Sequence, residues 1–456
     1  MTTKNENLKE NRLDRIEHCI TNDKNKLPAC EEFTQPGDFS ERSCTFHGTR
    51  IIINSHIENI VHLVHSTSSC AYYSWDYRPE TYSYCFTTDL THEDIVFGGE
   101  KKLYEAILNI LNEFENIDGI FVYETCAPAL IGDDIVGVIK KVKRILYETN
   151  HPKKNIPIMP FQSAGFKGKT QNKGHIIANK KLFELIGTKE VEEVLGRPSS
   201  KYDINIIGDF SKGSAKSIEE MFNKIGVNIL CSYTGGATID KIKIMDNAKL
   251  NVVHCMKSSI QFANMMKNVY EVPYVVLNLF GINNCINALQ TVGNELNIDK
   301  SIIDNGIKYY LDKNKEELEY YKNRLKGKKV FICHGAQRAL NYIGPISNEL
   351  NMEIIGVATY FANKENYKKI VETAPKGAVI IDNPNTYELE KVLMENKPDI
   401  FISDSKTKEL VHKLAIPYIN GRAPKNVYVG FDGFINFMKD IDHTINSEIW
   451  KLVERA

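Results

Sequence analysis

Four of the ten cysteines in this 456-residue chain stand where a thiolate could do chemistry. Cys44 sits in RSCTFHG, Cys70 in HSTSSCAYYSWD and Cys126 at the end of the apolar run GIFVYETC, each at a polar or glycine-containing break beside an apolar element. Cys255 closes the run LNVVHC and precedes MKSSIQFANMMKNV. Its sulfur is therefore expected at a helix N-terminus, where the dipole lowers a thiol pKa and favours thiolate ligation of iron. No CxxC occurs, which disfavours zinc ribbons and ferredoxin-type runs. Any cluster must be assembled from distant segments, with a second chain as a source of further ligands. Gln171 and His175, in KTQNKGHIIAN, follow the run NIPIMPFQ and suit a polar pocket wall or a proton donor, and His254 suits a supporting hydrogen bond. The other cysteines read differently. Cys231, Cys285 and Cys333 lie within apolar runs as core thiols, Cys19 and Cys30 belong to a polar N-terminal stretch, and Cys85 leads a strand and fits either reading.

The elements that position these residues alternate. The segments 119–126, 155–162, 202–210, 227–233, 250–255, 274–280, 329–335, 353–361, 378–384 and 399–405 read as buried strands, and stretches such as SAKSIEEMFNKIG and NTYELEKVLMENK between them carry helical spacing. A helix is expected to start at Asp133 or Asp134, where a carboxylate caps the first turn. Such alternation predicts an α/β protein with parallel sheets wrapped by helices. The expected organisation is an N-terminal arm (1–40), three Rossmann-like domains (41–195, 196–325 and 326–432) and a C-terminal helical segment (433–456). The polar stretch 188–201 and the charged helix around 312–329 read as the connections. No internal repeat is visible. In open parallel sheets, ligands gather at the carboxyl ends of the strands, which is where Cys126 falls.

Composition excludes several classes. A net charge of -1 supplies no field to attract nucleic acid or anionic membrane. No apolar run reaches the roughly 18 to 20 residues that cross a bilayer, and MTTKNENLKENRLDR lacks a signal-peptide core, so a cytoplasmic protein is expected. Nucleotide loops are not supported either. SAGFKGKT ends like a phosphate loop but has Ser163 where the first glycine is required, and FGGEKK and TGGAT read as turns.

The wording of HLVHSTSSCAYYSWD, FTTDLTHEDIVFGGEKKLYEAI and FVYETCAPALIGDDI resembles the α-type subunits of the nitrogenase component 1 family, most closely the NifE scaffolds of its cofactor-assembly branch. The resemblance runs from ERSCTFHG to GFINFMKDIDHTINSEIWKLV. It implies three Rossmann-like domains with a cofactor cleft between them. It also implies that Cys44, Cys70 and Cys126 share an interfacial iron–sulfur cluster with a homologous β-type subunit, NifN-like or NifK-like, in an α2β2 heterotetramer. Cys255 would hold one pole of a larger iron–sulfur cofactor or FeMo-cofactor precursor, with molybdenum and homocitrate, and Arg78, Gln171 and His175 would line it. An ATP-dependent, NifH-like iron protein would dock transiently.

Two departures bear on function. Catalytic members hold the second pole of the cofactor through a histidine after an IPF-like run, whereas IPYINGRAPKNVYVGFDGF has none and offers Asn420, Gly421 or Arg422. HSTSSC also replaces the usual HGPxxC-like turn, and the loop after Arg78 is short. The missing histidine implies a scaffold for cofactor maturation. Gln171 and His175, which would be catalytic residues in a reductase, imply instead a nitrogenase-like ATP-dependent enzyme, and both readings stay open at this point.

Overall fold

The computed structural model describes residues 44–75, 84–167, 171–208, 210–254, 256–360, 362, 364–382, 384–404, 407–421 and 427–450. The expected arm, Cys19, Cys30, Arg78, Cys255 and Arg422 lie outside the described residues. All sheet pairings are parallel, as the alternation of strand and helix predicts.

The contacts group into two compact units, one of them comprising Phe39–Ala215 with Gly226–Val276. Its first part runs α1 (His47–Ile53, a π-helical turn), β1 (Ile60–His65), α2 (Ser68–Trp75), β2 (Cys85–Thr87), α3 (His92–Phe97), α4 (Glu100–Glu113), β3 (Gly119–Glu124), α5 (Cys126–Ile131), α6 (Ile135–Glu148), β4 (Ile158–Gln162), α7 (Gln171–Phe183) and α8 (Val191–Leu195). Its second part holds β5 (Asp203–Ile207), α9 (Lys212–Asn223, whose last turns belong to the other unit), β6 (Asn228–Tyr233), α10 (Ile239–Lys243), β7 (Leu250–Val253), α11 (Met256–Tyr270) and β8 (Tyr274–Val276). The strands order as β2-β1-β3-β4 and β6-β5-β7-β8.

Every residue of β1 and β3 is buried, because the first sheet is covered on both faces. Val61, Leu63, Ile120 and Val122 point toward Leu103 and Ile107 of α4 and Val138 and Val142 of α6. The alternate residues Ile60, Val64, Phe121 and Tyr123 join a second core that reaches Tyr233, Phe262 and Met266. The ten expected strands all form, but β1, β2 and β13 were not among them, and of β2 only its start at Cys85 was expected. His62 and His65 break the apolar pattern of β1, yet both are fully buried and bonded, His62 Nδ1 to Tyr123 Oη at 2.8 Å and His65 to two partners described below. The run ending in Cys126 is also shorter than expected: the strand stops at Glu124, and Cys126 opens α5. Asp134, not Asp133, caps α6, accepting from Gly137 N–H at 2.9 Å. The polar stretch 188–201 is packed, with Val191 buried and the Arg197 guanidinium gripping both oxygens of buried Asp203 at 2.9 and 3.0 Å.

The other unit comprises Lys216–Ile225 and the region from Leu277 onward, with α12 (Ile282–Glu295), α13 (Lys300–Leu325), β9 (Lys329–Gly335), α14 (Ala336–Gly344), β10 (Glu353–Tyr360), α15 (Lys364–Thr373), β11 (Val379–Asp382), α16 (Thr386–Glu395), β12 (Ile400–Ser403), α17 (Lys408–Lys413), β13 (Tyr418–Asn420) and α18 (Gly430–Ile445). The sheet order is β11-β10-β9-β12-β13. The charged helix α13 keeps one face in this core, where Tyr310 stacks on Phe431 at 4.7 Å and Arg324 meets Asp442 at 2.7 Å.

Gly356 of β10 lies under the ring of Phe331, and an added Cβ would collide with that ring. Gly356→Ala is therefore expected to destabilise the protein by about 1–3 kcal/mol through overpacking. Gly344→Ala, in helical backbone with open space around it, is expected to be neutral or slightly stabilising. Paired thermal melts check both, and equal melting temperatures for the two variants would contradict this packing.

Candidate metal centre

In each of the three sheets the chain moves outward to one side and then to the other, leaving a switch point between two central strands. In the first sheet it lies at the carboxyl ends of β1 and β3. Cys70 is on α2, which follows β1, and Cys126 is the first residue of α5, which follows β3. In the second sheet the switch lies between β5 and β7. The fold thus brings Cys126 to the crevice of the first sheet.

Cys44 joins the first switch point from outside the sheet. It stands just before α1, and its carbonyl accepts from Gly48 N–H at 3.2 Å. Cys44 and Cys126 meet over Gly165 in the turn after β4, where a Cβ would stand 3.1 Å from Cys44 Sγ and 3.3 Å from Cys126 Sγ. Any side chain at 165 would fill that space. Burial pushes the Cys44 thiol pKa up, the His47 and Phe46 backbone amides that bond its sulfur pull it down, and neighbouring Cys126 and Cys70 push it up again. Cys126 and Cys70 therefore lie close enough to Cys44 to add to the cost of ionising it, a penalty that a bound cationic metal removes. All three are half-buried, in contrast to the fully buried Cys231, Cys285 and Cys333. Among the described residues no three His, Cys, Asp or Glu side chains close on one point as a single metal ion requires.

A buried polar knot holds this rim together. His65, the last residue of β1, donates from Nε2 to Asp133 Oδ2 at 2.9 Å, since a carboxylate can only accept, and Nδ1 faces Thr88 Oγ1 at 3.0 Å. Burial lowers the His65 pKa against the opposing pull of Asp133, so the ring is neutral and Nδ1 accepts from the Thr88 hydroxyl. Asp133 also accepts from Gly99 N–H at 3.0 Å, and Thr125 donates through Oγ1 to the His65 carbonyl at 3.1 Å. His65, through its ring and its carbonyl, together with Asp133 thereby links the strand before Cys70, the residue before Cys126 and the turn between α3 and α4.

Gln171 and His175 start α7, which crosses α1 in backbone contact. A Cβ on Gly48 would strike the Gln171 carbonyl, and one on Gly174 would strike the Thr45 carbonyl and approach Thr49 N to 2.6 Å. Thr49 Oγ1 bridges the crossing, 3.0 Å from the Thr45 carbonyl and 3.1 Å from that of Gly174. The structure therefore brings the Cys44 segment and the Gln171–His175 segment together, with His175 buried and Gln171 half-buried. Asn420, at the end of β13, lines a pocket of about 490 Å³ with His412, Tyr418, Tyr428, His443 and Trp450, while Gly421 offers its carbonyl to Tyr342 Oη at 2.7 Å.

Reading the sequence missed Gly48, Gly174 and Gly165 as spacing devices. For Gly48 and Gly174 the only signal is a glycine beside a histidine in HGTR and NKGH, and Gly165 in SAGF carries none. Of the two aspartates it offered as the helix cap, Asp134 takes that place and the Asp133 carboxylate turns inward to His65.

Residues 44–446 match the family model described as nitrogenase component 1 type oxidoreductase. The chain is 33% identical over 448 residues to the nitrogenase molybdenum-iron protein alpha chain of Methanothermobacter marburgensis, covering 94% of this chain and 92% of that one. It is 34% identical over 440 residues to the nitrogenase iron-molybdenum cofactor biosynthesis protein NifE of Clostridium pasteurianum, covering 93% and 91%. The solved structure titled nitrogenase Cp1 at pH 5 superposes with a TM-score of 0.80 at 27% identity, covering 93% of this chain and 92% of that one. With its three parallel sheets, its converging cysteines and this end-to-end similarity, the chain belongs to the nitrogenase component 1 type oxidoreductase family, as an α-type subunit.

Proposed function

We propose that this α-type subunit is a NifE-like scaffold on which an iron–sulfur precursor of the nitrogenase cofactor matures before transfer. The observation that carries the reading is chemical: no histidine occurs between Pro417 and Gly433, the stretch in which catalytic members place the second cofactor ligand. A group that must leave has fewer protein bonds to break when one thiolate, Cys255, anchors it. Relatives named NifE match at 34% identity over 93–95% of the chain. Gln171, His175 and Arg78 would line that group, with Arg78 and Cys255 outside the described residues and Asn420 replacing the missing ligand.

A second, smaller cluster fits Cys44, Cys70 and Cys126. Three half-buried sulfurs without a single-ion geometry, two of them over the side-chain-free Gly165, suit a body larger than one ion. Such a cluster stores and passes electrons when bound. Three thiolates leave further iron positions to be filled, so a homologous β-type subunit would complete the site in an α2β2 assembly, with an iron protein docking transiently as electron donor.

The alternative is a catalytic reductase. It is favoured by Gln171 and His175 on α7, and by relatives named as molybdenum-iron protein alpha chains that match as well as those named NifE. Transfer separates the two readings. Cofactor-loaded complex of this chain with its β-type partner is mixed with cofactor-free nitrogenase component 1, and acetylene reduction by the recipient is measured. The scaffold reading expects activation of the recipient and no turnover by the donor complex with iron protein and ATP. Turnover by the donor without transfer overturns it.

Anaerobically purified complexes carrying Cys44→Ala, Cys70→Ala or Cys126→Ala are expected to lose most of the iron of the smaller cluster, whereas Cys285→Ala keeps it. Iron assay and low-temperature electron paramagnetic resonance read this directly, and unchanged iron in all three rim variants would remove the cluster from these residues. Native mass measurement of the co-expressed pair is expected to give two copies of each chain, and a cluster-loaded monomer would refute the shared site.

A further inference from the structure

Arg50, on α1, is 4% exposed, and its Nε has no hydrogen-bond partner. Among the described residues no carboxylate pairs with it. The titratable side chains that feel its charge, His62 and Tyr123, are neutral. Burial holds the His62 pKa far below its ordinary value, with the Arg50 charge adding to the effect. Burial likewise raises the Tyr123 phenol, with Arg50 opposing. Tyr123 Oη is already engaged by His62 Nδ1 at 2.8 Å and by Asn54 Nδ2 at 3.1 Å, while His62 Nε2 and Asn54 Oδ1 have no partner. A buried guanidinium without a counter-ion is among the costliest arrangements a fold can hold, and a negative charge brought beside it would relieve that cost.

The segments around Arg50 are those that carry the rim cysteines. Arg50 is six residues after Cys44, α2 with Cys70 packs on α1, and Tyr123 precedes Cys126 by three residues with its ring edge-on to Phe46 at 5.8 Å. We infer that Arg50 is the counter-charge of an anionic group bound in this unit, namely the thiolate-ligated iron–sulfur cluster. The inference rests on the reading that Cys44, Cys70 and Cys126 hold that cluster. A small free anion, such as phosphate or a tricarboxylate, shares the required chemistry and is the competing source.

The test uses the full chain with its β-type partner, in metal-free and cluster-loaded forms, for wild type, Arg50→Met and Arg50→Lys. Iron content is measured on every sample. If Arg50 awaits an anion, Arg50→Met raises the melting temperature of the metal-free complex, because a stranded charge is replaced by a fitting apolar chain. In the loaded complex the same change lowers the melting temperature and shifts the cluster midpoint potential to more negative values, since a nearby positive charge favours the reduced, more negative state. Arg50→Lys keeps the wild-type potential. A merely structural arginine would lower the melting temperature in both forms and leave the potential unmoved, which overturns the inference. Phosphate and citrate at matched ionic strength are added to metal-free wild type and Arg50→Met. Stabilisation of wild type alone, with an unshifted potential in the loaded variant, assigns Arg50 to a free anion and also overturns it. A wild-type complex without iron at the rim refutes the cluster reading separately, and the metal-free melts then still decide whether Arg50 is a stranded charge.

Discussion

The backbone-to-backbone crossing of α1 and α7 is the constraint on which the rest of the thiol-bearing unit depends. Two helices approach this closely only where both lack side chains at the contact, and Gly48 and Gly174 supply that gap while Thr49 bridges the two helices. Cys44 leads into one helix, and Gln171 and His175 open the other. Their separation is therefore set by carbonyl and amide atoms, which do not change rotamer. A side chain at either glycine would move Cys44 away from the Cys126 sulfur it faces across Gly165.

The same economy of side chains contrasts with the polar investment at His65. A neutral imidazole, a carboxylate, a hydroxyl and a backbone amide are all buried at the rim of the first sheet, and each is satisfied by another. Leaving any of them unpaired would incur a desolvation penalty of roughly 1–3 kcal/mol, so the knot admits one arrangement of the turns around it. The flanking elements include the helices that carry Cys70 and Cys126. Rigid turns suit cysteines whose sulfurs must stay open to a group that enters after folding, and burial, which raises the Cys44 thiol pKa, favours its neutral form until metal arrives.

A scaffold differs from an enzyme of the same fold by what it does not hold. In this chain the rim thiols and α7 are provided with rigid support, whereas Asn420 lines a pocket that draws His412 and His443 from α17 and α18, and the stretch between Pro417 and Gly433 holds no histidine. Support at one end and release at the other are compatible with handing a cofactor on, and family membership alone, which embraces both roles, does not separate them.

Much of this was legible in the residues. The ten apolar runs fixed the strands because strands covered on both faces must be apolar throughout, and the alternation with helices forced parallel pairing. Cys44, Cys70 and Cys126 could be singled out because each interrupts that pattern at an element end. Tertiary structure alone decided the rest. β1 was hidden because His62 and His65 look polar in sequence and become core residues only when Tyr123, Thr88 and Asp133, 23 to 68 positions away, complete their hydrogen bonds. The repetition of one strand order through the first two sheets left no repeat in the sequence, since topology is carried by hydrogen-bond pairing rather than by particular side chains. Gly165 read as part of a failed phosphate loop, and only the fold shows two sulfurs over it, because the absence of a side chain carries no meaning until its neighbours are known.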